Sequence, residues 1–117
     1  MNIESYREYC LSLPGATEGM PFDDETLVFS VGGKMFTLTN IDTFESINVK
    51  CDPEYAILLR EQYESVIPGY HMNKVHWNTI RMDGSITDEQ VRKWIAHSYH
   101  LVFAKLTKKK QQEIQNK

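Results

Sequence analysis

Cysteine is scarce in this sequence, with only Cys10 and Cys51 in a chain of 117 residues. That is too few for a disulfide framework, and the spacing is not that of a zinc site. The expectation is two buried, idle thiols in a reducing compartment, with no metal bound. Long apolar runs are missing too: Leu101-Val102-Phe103-Ala104 is typical of the longest, so no transmembrane helix is expected. The opening Met1-Asn2-Ile3-Glu4 has neither the basic start nor the apolar stretch of a signal peptide. These absences predict a cytoplasmic protein with no membrane partner.

Catalytic signatures are absent as well. Gly32-Gly33 lies between two strand-like runs, not between strand and helix as a phosphate-cradling loop would. No serine sits in a Gly-x-Ser-x-Gly elbow. His97 and His100 are neighbours on a predicted helix but lack a nearby carboxylate, and His71 and His76 are joined by no Cys or Asp. No catalytic constellation and no cofactor follow from the sequence.

What is present is ordinary globular material. The chain is 41% hydrophobic and 25% charged, enough to fold residues 1–117 as one domain without staples. The formal charge of −3 is unevenly spread. Through Ile67 there are 4 Lys+Arg against 12 Asp+Glu, and from Pro68 onward 9 against 4, so balances of −8 and +5 make up the −3. Such asymmetry marks a basic binding face, unless folding interleaves the two halves.

Local patterns predict the element order α-β(3)-α-β(2)-α. Asn2 caps a first helix with Ile3, Tyr6, Cys10 and Leu13 on one face, closed by Pro14-Gly15. Ala16 to Glu25 is expected to be a loop. Thr26–Val31 and Lys34–Thr39 flank Gly32-Gly33 as a hairpin. Alternation puts Leu27, Phe29, Val31, Phe36 and Leu38 on one face. Ser46–Lys50 is the third strand, with Ile47 and Val49 inward. Asp52-Pro53 starts a second helix bearing Ala56, Leu59 and Tyr63, with Leu58 beside them. Lys74–Met82 reads as a strand, with Val66-Ile67 beside it. Thr87-Asp88-Glu89-Gln90 is a capping box for the last helix, whose core stripe runs from Val91 to Leu106. Residues 105–117 are expected to be a polar, basic, frayed helical tail. The sum is an α+β two-layer sandwich, an antiparallel sheet with helices on one face and the other face open.

One stretch is chemically denser than the rest: Pro68-Gly69-Tyr70-His71-Met72-Asn73-Lys74-Val75-His76-Trp77. Lys74, with Arg81 further on, suits phosphate contacts; Asn73 suits base edges; Tyr70 and Trp77 offer stacking surfaces. The plainer reading makes Trp77 and Tyr70 core and has Asn73 bond the backbone of a turn. Trp77 favours the core; Lys74 and His76 have no evident packing role.

The same stretch carries a resemblance. With Leu13-Pro14-Gly15-Ala16-Thr17-Glu18, Pro21-Phe22, Val28-Phe29, Gly33-Lys34-Met35-Phe36, Lys50-Cys51-Asp52-Pro53-Glu54 and Ser98-Tyr99, it resembles the MmcQ/YjbR family along nearly the whole chain. The resemblance implies a secretion-chaperone-like α+β sandwich and the family's label, a predicted "double-wing" DNA-binding protein. The wings here would be the Gly32-Gly33 hairpin and the region from Lys74 to Arg81. Three readings stand. A DNA-binding module would contact phosphate through Lys34, Lys50, Lys74, His76 and Arg81, with Asn73 near base edges. A net charge of −3 and a pI near 5.8 weigh against it. A protein-interaction module, dimeric or with another partner, would use the open sheet face or an edge strand. A small-molecule binder or enzyme of unknown chemistry would need His71, Asn73, His76 and Trp77 to converge on a concavity.

Overall fold

The computed structural model describes residues 1–116. Helix α1 (Ile3–Ser12) starts at Asn2, whose side chain accepts from the Ser5 amide while the Ser5 hydroxyl accepts from the Asn2 amide. Two orphan amides are thereby satisfied, and Tyr6 and Cys10 turn inward to full burial. Strand β1 (Ala16–Gly19) follows, antiparallel to β2 (Thr26–Val31). Residues 20–25 form the loop as expected, whereas β1 corrects the first four residues of the loop expected over 16–25. Its four residues are mostly exposed at the sheet edge, so apolar alternation had nothing to register. Arg7 of α1 secures it with two hydrogen bonds to the Glu18 carboxylate, at 2.8 and 2.6 Å.

β2 and β3 (Lys34–Asn40) form the expected hairpin, with φ of +59° at Gly32 and +80° at Gly33, as a primed two-residue turn requires. The register then slips. Phe29 faces Thr37 but Ser30 faces Met35, leaving Phe36 as an extra residue in a bulge. Phe36 and Thr37 consequently both enter the main core, where the Tyr6 and Thr37 hydroxyls bond at 2.9 Å. Leu38 is thrown to the opposite face, against the expectation that it would join Phe29 and Phe36.

β4 (Ser46–Lys50) sends Ile47 and Val49 inward as expected. Helix α2 (Pro53–Gln62) is capped by Asp52 and buries Ala56 and Leu59, while Leu58 points to solvent and not into the core. β5 (Val66–Pro68) and β6 (Trp77–Arg81) pair antiparallel. β6 begins three residues later than the pattern suggested, because residues 69–76 form a separate loop. Helix α3 (Asp88–Ala104) is capped by Thr87 and buries Val91, Trp94, Ile95, Ser98, Tyr99 and Val102. The sheet order is β1-β2-β3-β4-β6-β5, antiparallel throughout. The main core lies between one sheet face and helices α1, α2 and α3. The chain therefore has the anticipated α+β sandwich, with an added first strand.

It also has an added last helix. Instead of fraying, the chain turns at Lys105 and starts α4 (Lys108–Gln115) with Thr107 as cap. Leu106 packs against Gly32 and Ile114 against Gly15, and both side chains are buried. Two apolar anchors hold this segment down across the hairpin end of the sheet. Lys117 lies outside the described residues.

Candidate nucleic-acid interface

The segment after β5 folds back on itself before β6 begins. The Gly69 amide donates to the Trp77 carbonyl at 2.9 Å, the Trp77 amide to the Asn73 carbonyl at 2.9 Å, and the Met72 amide to the Gly69 carbonyl at 3.3 Å. Asn73 Oδ1 accepts from the amides of Val75 and His76 at 2.9 and 3.3 Å, so its side-chain carbonyl is used by the turn. Lys74 Nζ reaches the Gly69 carbonyl at 3.2 Å. Glycine is required at 69: a β-carbon there would stand 2.8 Å from Trp77 Cβ.

Arg60, on α2, locks this loop from behind. Its Nε donates to Asn78 Oδ1 at 2.7 Å, and its Nη2 donates to the carbonyls of Lys74 and Trp77. No local pattern marks this clamp, since a basic residue in the last turn of a helix ordinarily answers to the helix dipole. Trp77 is buried, but not in the main core. It packs on the outer sheet face with Val28 and Leu38, flanked by Met35 and Met72. The outer face is therefore covered at its centre by the loop.

Tyr70 is 66% exposed, its amide fixed to Thr79 Oγ1 at 2.9 Å. His71 follows it with φ +58°, a left-handed conformation uncommon for any residue but glycine. His71, Asn73, His76 and Trp77 do not share a concavity: Trp77 is buried, Asn73 is bound into its turn, and His71 and His76 are exposed. Among the described residues no three His, Cys, Asp or Glu side chains lie close enough to share a metal ion. Both cysteines are free and buried, and burial pushes the Cys51 thiol up to about 11 and that of Cys10 higher still.

The sheet topology sorts the charges by end. Lys34 opens β3, Lys50 closes β4, and His76 precedes β6, so all three sit at the hairpin end; the Cys51 amide donates to the His76 carbonyl at 2.8 Å. Lys105, at the C-cap of α3, joins them, and Lys108, Lys109 and Lys110 follow in the first turn of α4. The ammonium of Lys50 is held below the usual lysine range, first by partial burial and then by Lys105 and Lys34. Its backbone is fixed by Ser98 of α3, whose hydroxyl accepts from the Lys50 amide at 2.8 Å and donates to the Phe36 carbonyl at 2.5 Å. A serine inside an otherwise apolar stripe was the one sequence signal for this junction. Among the described residues, none of Lys34, Lys50 and Lys105 forms an ion pair.

The far end is acidic. The β1–β2 loop carries Asp23, Asp24 and Glu25, the β3–β4 loop Asp42 and Glu45, the β6–α3 loop Asp83, and α3 begins with Asp88 and Glu89. Arg81 ends β6 there, four residues from Trp77, which is about 13 Å along an extended strand. Arg81 is thus separated from Lys34 and Lys50, and the sequence-predicted contact set does not assemble as one patch.

A model of the YjbR family matches residues 11–101. The chain belongs to the YjbR family. Among curated YjbR relatives, Escherichia coli K12 YjbR is 33% identical over 100 residues, covering 85% of each chain. YbdF of E. coli O157:H7 is 36% identical over 112 residues, covering 95% of this chain and 92% of that one. Both carry the name "uncharacterized protein". The crystal structure of Deinococcus radiodurans protein DR2400, with domain DUF419, superposes with a TM-score of 0.91 at 39% identity, over 97% of this chain and 88% of that one. The YjbR fold resemblance read from the signature residues therefore holds.

Proposed function

We propose that this YjbR protein binds DNA through the phosphate backbone at the hairpin end of its sheet. Lys34, Lys50 and Lys105 form the centre of the contact, with Lys74 and His76 beside them. The observation that carries this reading is the gathering of three lysines without ion-pair partners among the described residues, while eight of the sixteen Asp and Glu lie at the other end. A net charge of −3 then ceases to be an objection, because a duplex meets the ends separately. Of the two wings, the Gly32-Gly33 hairpin contributes through Lys34; the 74–81 region contributes only its first part. Asn73 is not in the contact set, since with Oδ1 bound to two amides it keeps only Nδ2 and cannot grip an adenine edge bidentately. Arg81 is left out because it stands among acids. The cytoplasm is the compartment this reading implies, and among the described residues no helix is long and apolar enough to cross a membrane.

Three to five phosphate contacts give a weak, salt-sensitive complex. Fluorescence anisotropy with a labelled duplex at about 50 mM salt should show binding that fades near about 200 mM. Replacing Lys34, Lys50 and Lys105 together by alanine should abolish it, and Arg81→Ala should leave it unchanged. Absence of binding at low salt, or equal loss with Arg81→Ala, rejects the reading.

A second reading, a protein-interaction module, is favoured by one observation. The outer edge of β1 is unpaired in the sheet and is followed by Met20 and Phe22, 39% and 64% exposed. Strand addition there would suit a protein partner or a second copy. Light scattering that finds a monomer at all concentrations removes the second-copy form of it.

A further inference from the structure

A cleft of about 390 Å³ opens on the outer sheet face at the acidic end, away from the lysines. Its floor follows from register. Ser46 and Arg81 are directly opposite on β4 and β6, and Ile67 and Thr79 are opposite on β5 and β6. Because side chains alternate, Thr79 and Arg81 share one face, and Ile67 and Ser46 flank them there. Tyr70 forms the wall. Its backbone amide is bonded to Thr79 and its ring lies 4.1 Å from that of His71, so an aromatic surface stands at the cleft edge, largely in solvent.

The charges on the rim define what fits. Arg81 presents a guanidinium that, among the described residues, has no ion-pair partner, and Glu45 presents a carboxylate equally without one. Asp83 adds a second carboxylate, kept ionised by the hydroxyls of Ser65 and Ser85. Two carboxylates and one guanidinium leave the rim with a net negative charge. A phosphate or a dicarboxylate would be repelled; a simple amine would leave Arg81 unanswered. Ile67 and the Tyr70 ring ask for an apolar or aromatic body.

The geometry points to a site for a free α-amino acid with an apolar or aromatic side chain. Arg81 takes the carboxylate, Glu45 and Asp83 face the ammonium group, and the side chain lies on Ile67 against Tyr70. This site is independent of DNA binding, since the residues and the end of the sheet differ.

The test is a ¹H–¹⁵N titration of the full chain with L-phenylalanine, 3-phenylpropionate and phenethylamine, each to about 10 mM. The site predicts that L-phenylalanine shifts the amides of Ile67, Tyr70, Thr79 and Arg81. Each analogue, lacking one charge, should bind at least about tenfold more weakly. Arg81→Gln and Glu45→Gln, both at exposed positions, should each cost about tenfold in affinity for L-phenylalanine with the rest of the spectrum intact. If either analogue matches the amino acid, if the shifts fall elsewhere, or if no amide moves, the proposal is overturned.

Discussion

Arg60 Nε donates to the side-chain oxygen of Asn78 across 2.7 Å, joining helix α2 to a strand residue that is 1% exposed. The same guanidinium holds the carbonyls of Lys74 and Trp77, so one side chain ties the loop, the strand and the helix together. Removing it leaves a buried amide oxygen and a loop carbonyl without donors. Arg60→Met should cost about 2 to 3 kcal/mol, read by denaturant unfolding. Hydrogen exchange should quicken first at the Gly69 and Trp77 amides. An unchanged midpoint would mean that water replaces the guanidinium without loss.

Gly69 is the second point on which the loop depends. A methyl group there meets Trp77 Cβ at 2.8 Å and Met72 Cβ at 3.0 Å, so Gly69→Ala must push the loop off the sheet. A loss of about 1 to 3 kcal/mol is expected. The emission of Trp77 should shift to the red as the indole gains water. Wild-type emission in a destabilised variant would place the strain elsewhere.

Helix α4 belongs to the folded body through Ile114, which is 8% exposed and packs on Gly15. Ile114→Ala should lower stability by about 2 kcal/mol, measured by thermal or urea unfolding. A frayed tail would tolerate the change without effect.

Asp83 gives a pH dependence with a definite sign. The hydroxyls of Ser65 and Ser85 hold its carboxyl at about 2, below the ordinary 3.8. Because the folded value is the lower one, the unfolded chain binds the proton more readily. The stabilisation is complete above pH 3.8 and is lost as pH falls toward 2. Ser65→Ala should flatten the fall in stability across that window, followed by fluorescence-monitored unfolding at a series of pH values. A slope identical to wild type would falsify the role given to Ser65.

The elements that sequence made legible were those with a strong local signal. Asn2, Asp52 and Thr87 cap the helices they were expected to cap, and Gly32-Gly33 makes its hairpin, because caps and turns depend on neighbours a few residues away. β1 was hidden since an exposed edge strand needs no alternation. Leu38 was misplaced because the extra residue at Phe36 exchanges the two faces of β3, and a bulge has no marker in the chain. α4, with Ile114 as its one apolar residue, is decided by the groove beside Gly15, which exists only after folding. The candidate interface was half legible: Lys34, Lys50, Lys74 and His76 stood out by charge, whereas Lys105 passed as tail. The separation of Arg81 from them followed from strand direction, not from composition.

That sorting of charge makes the molecule an electric dipole with a negative total. Beyond about 10 Å at ordinary ionic strength its field is screened, and at closer range the ends act separately. On the proposed DNA-binding reading, a polyanion approaching the acidic end would be turned away, and one meeting Lys34, Lys50 and Lys105 would be drawn in. Productive encounters would then be selected by orientation, with the acids as a filter on which way round the protein arrives.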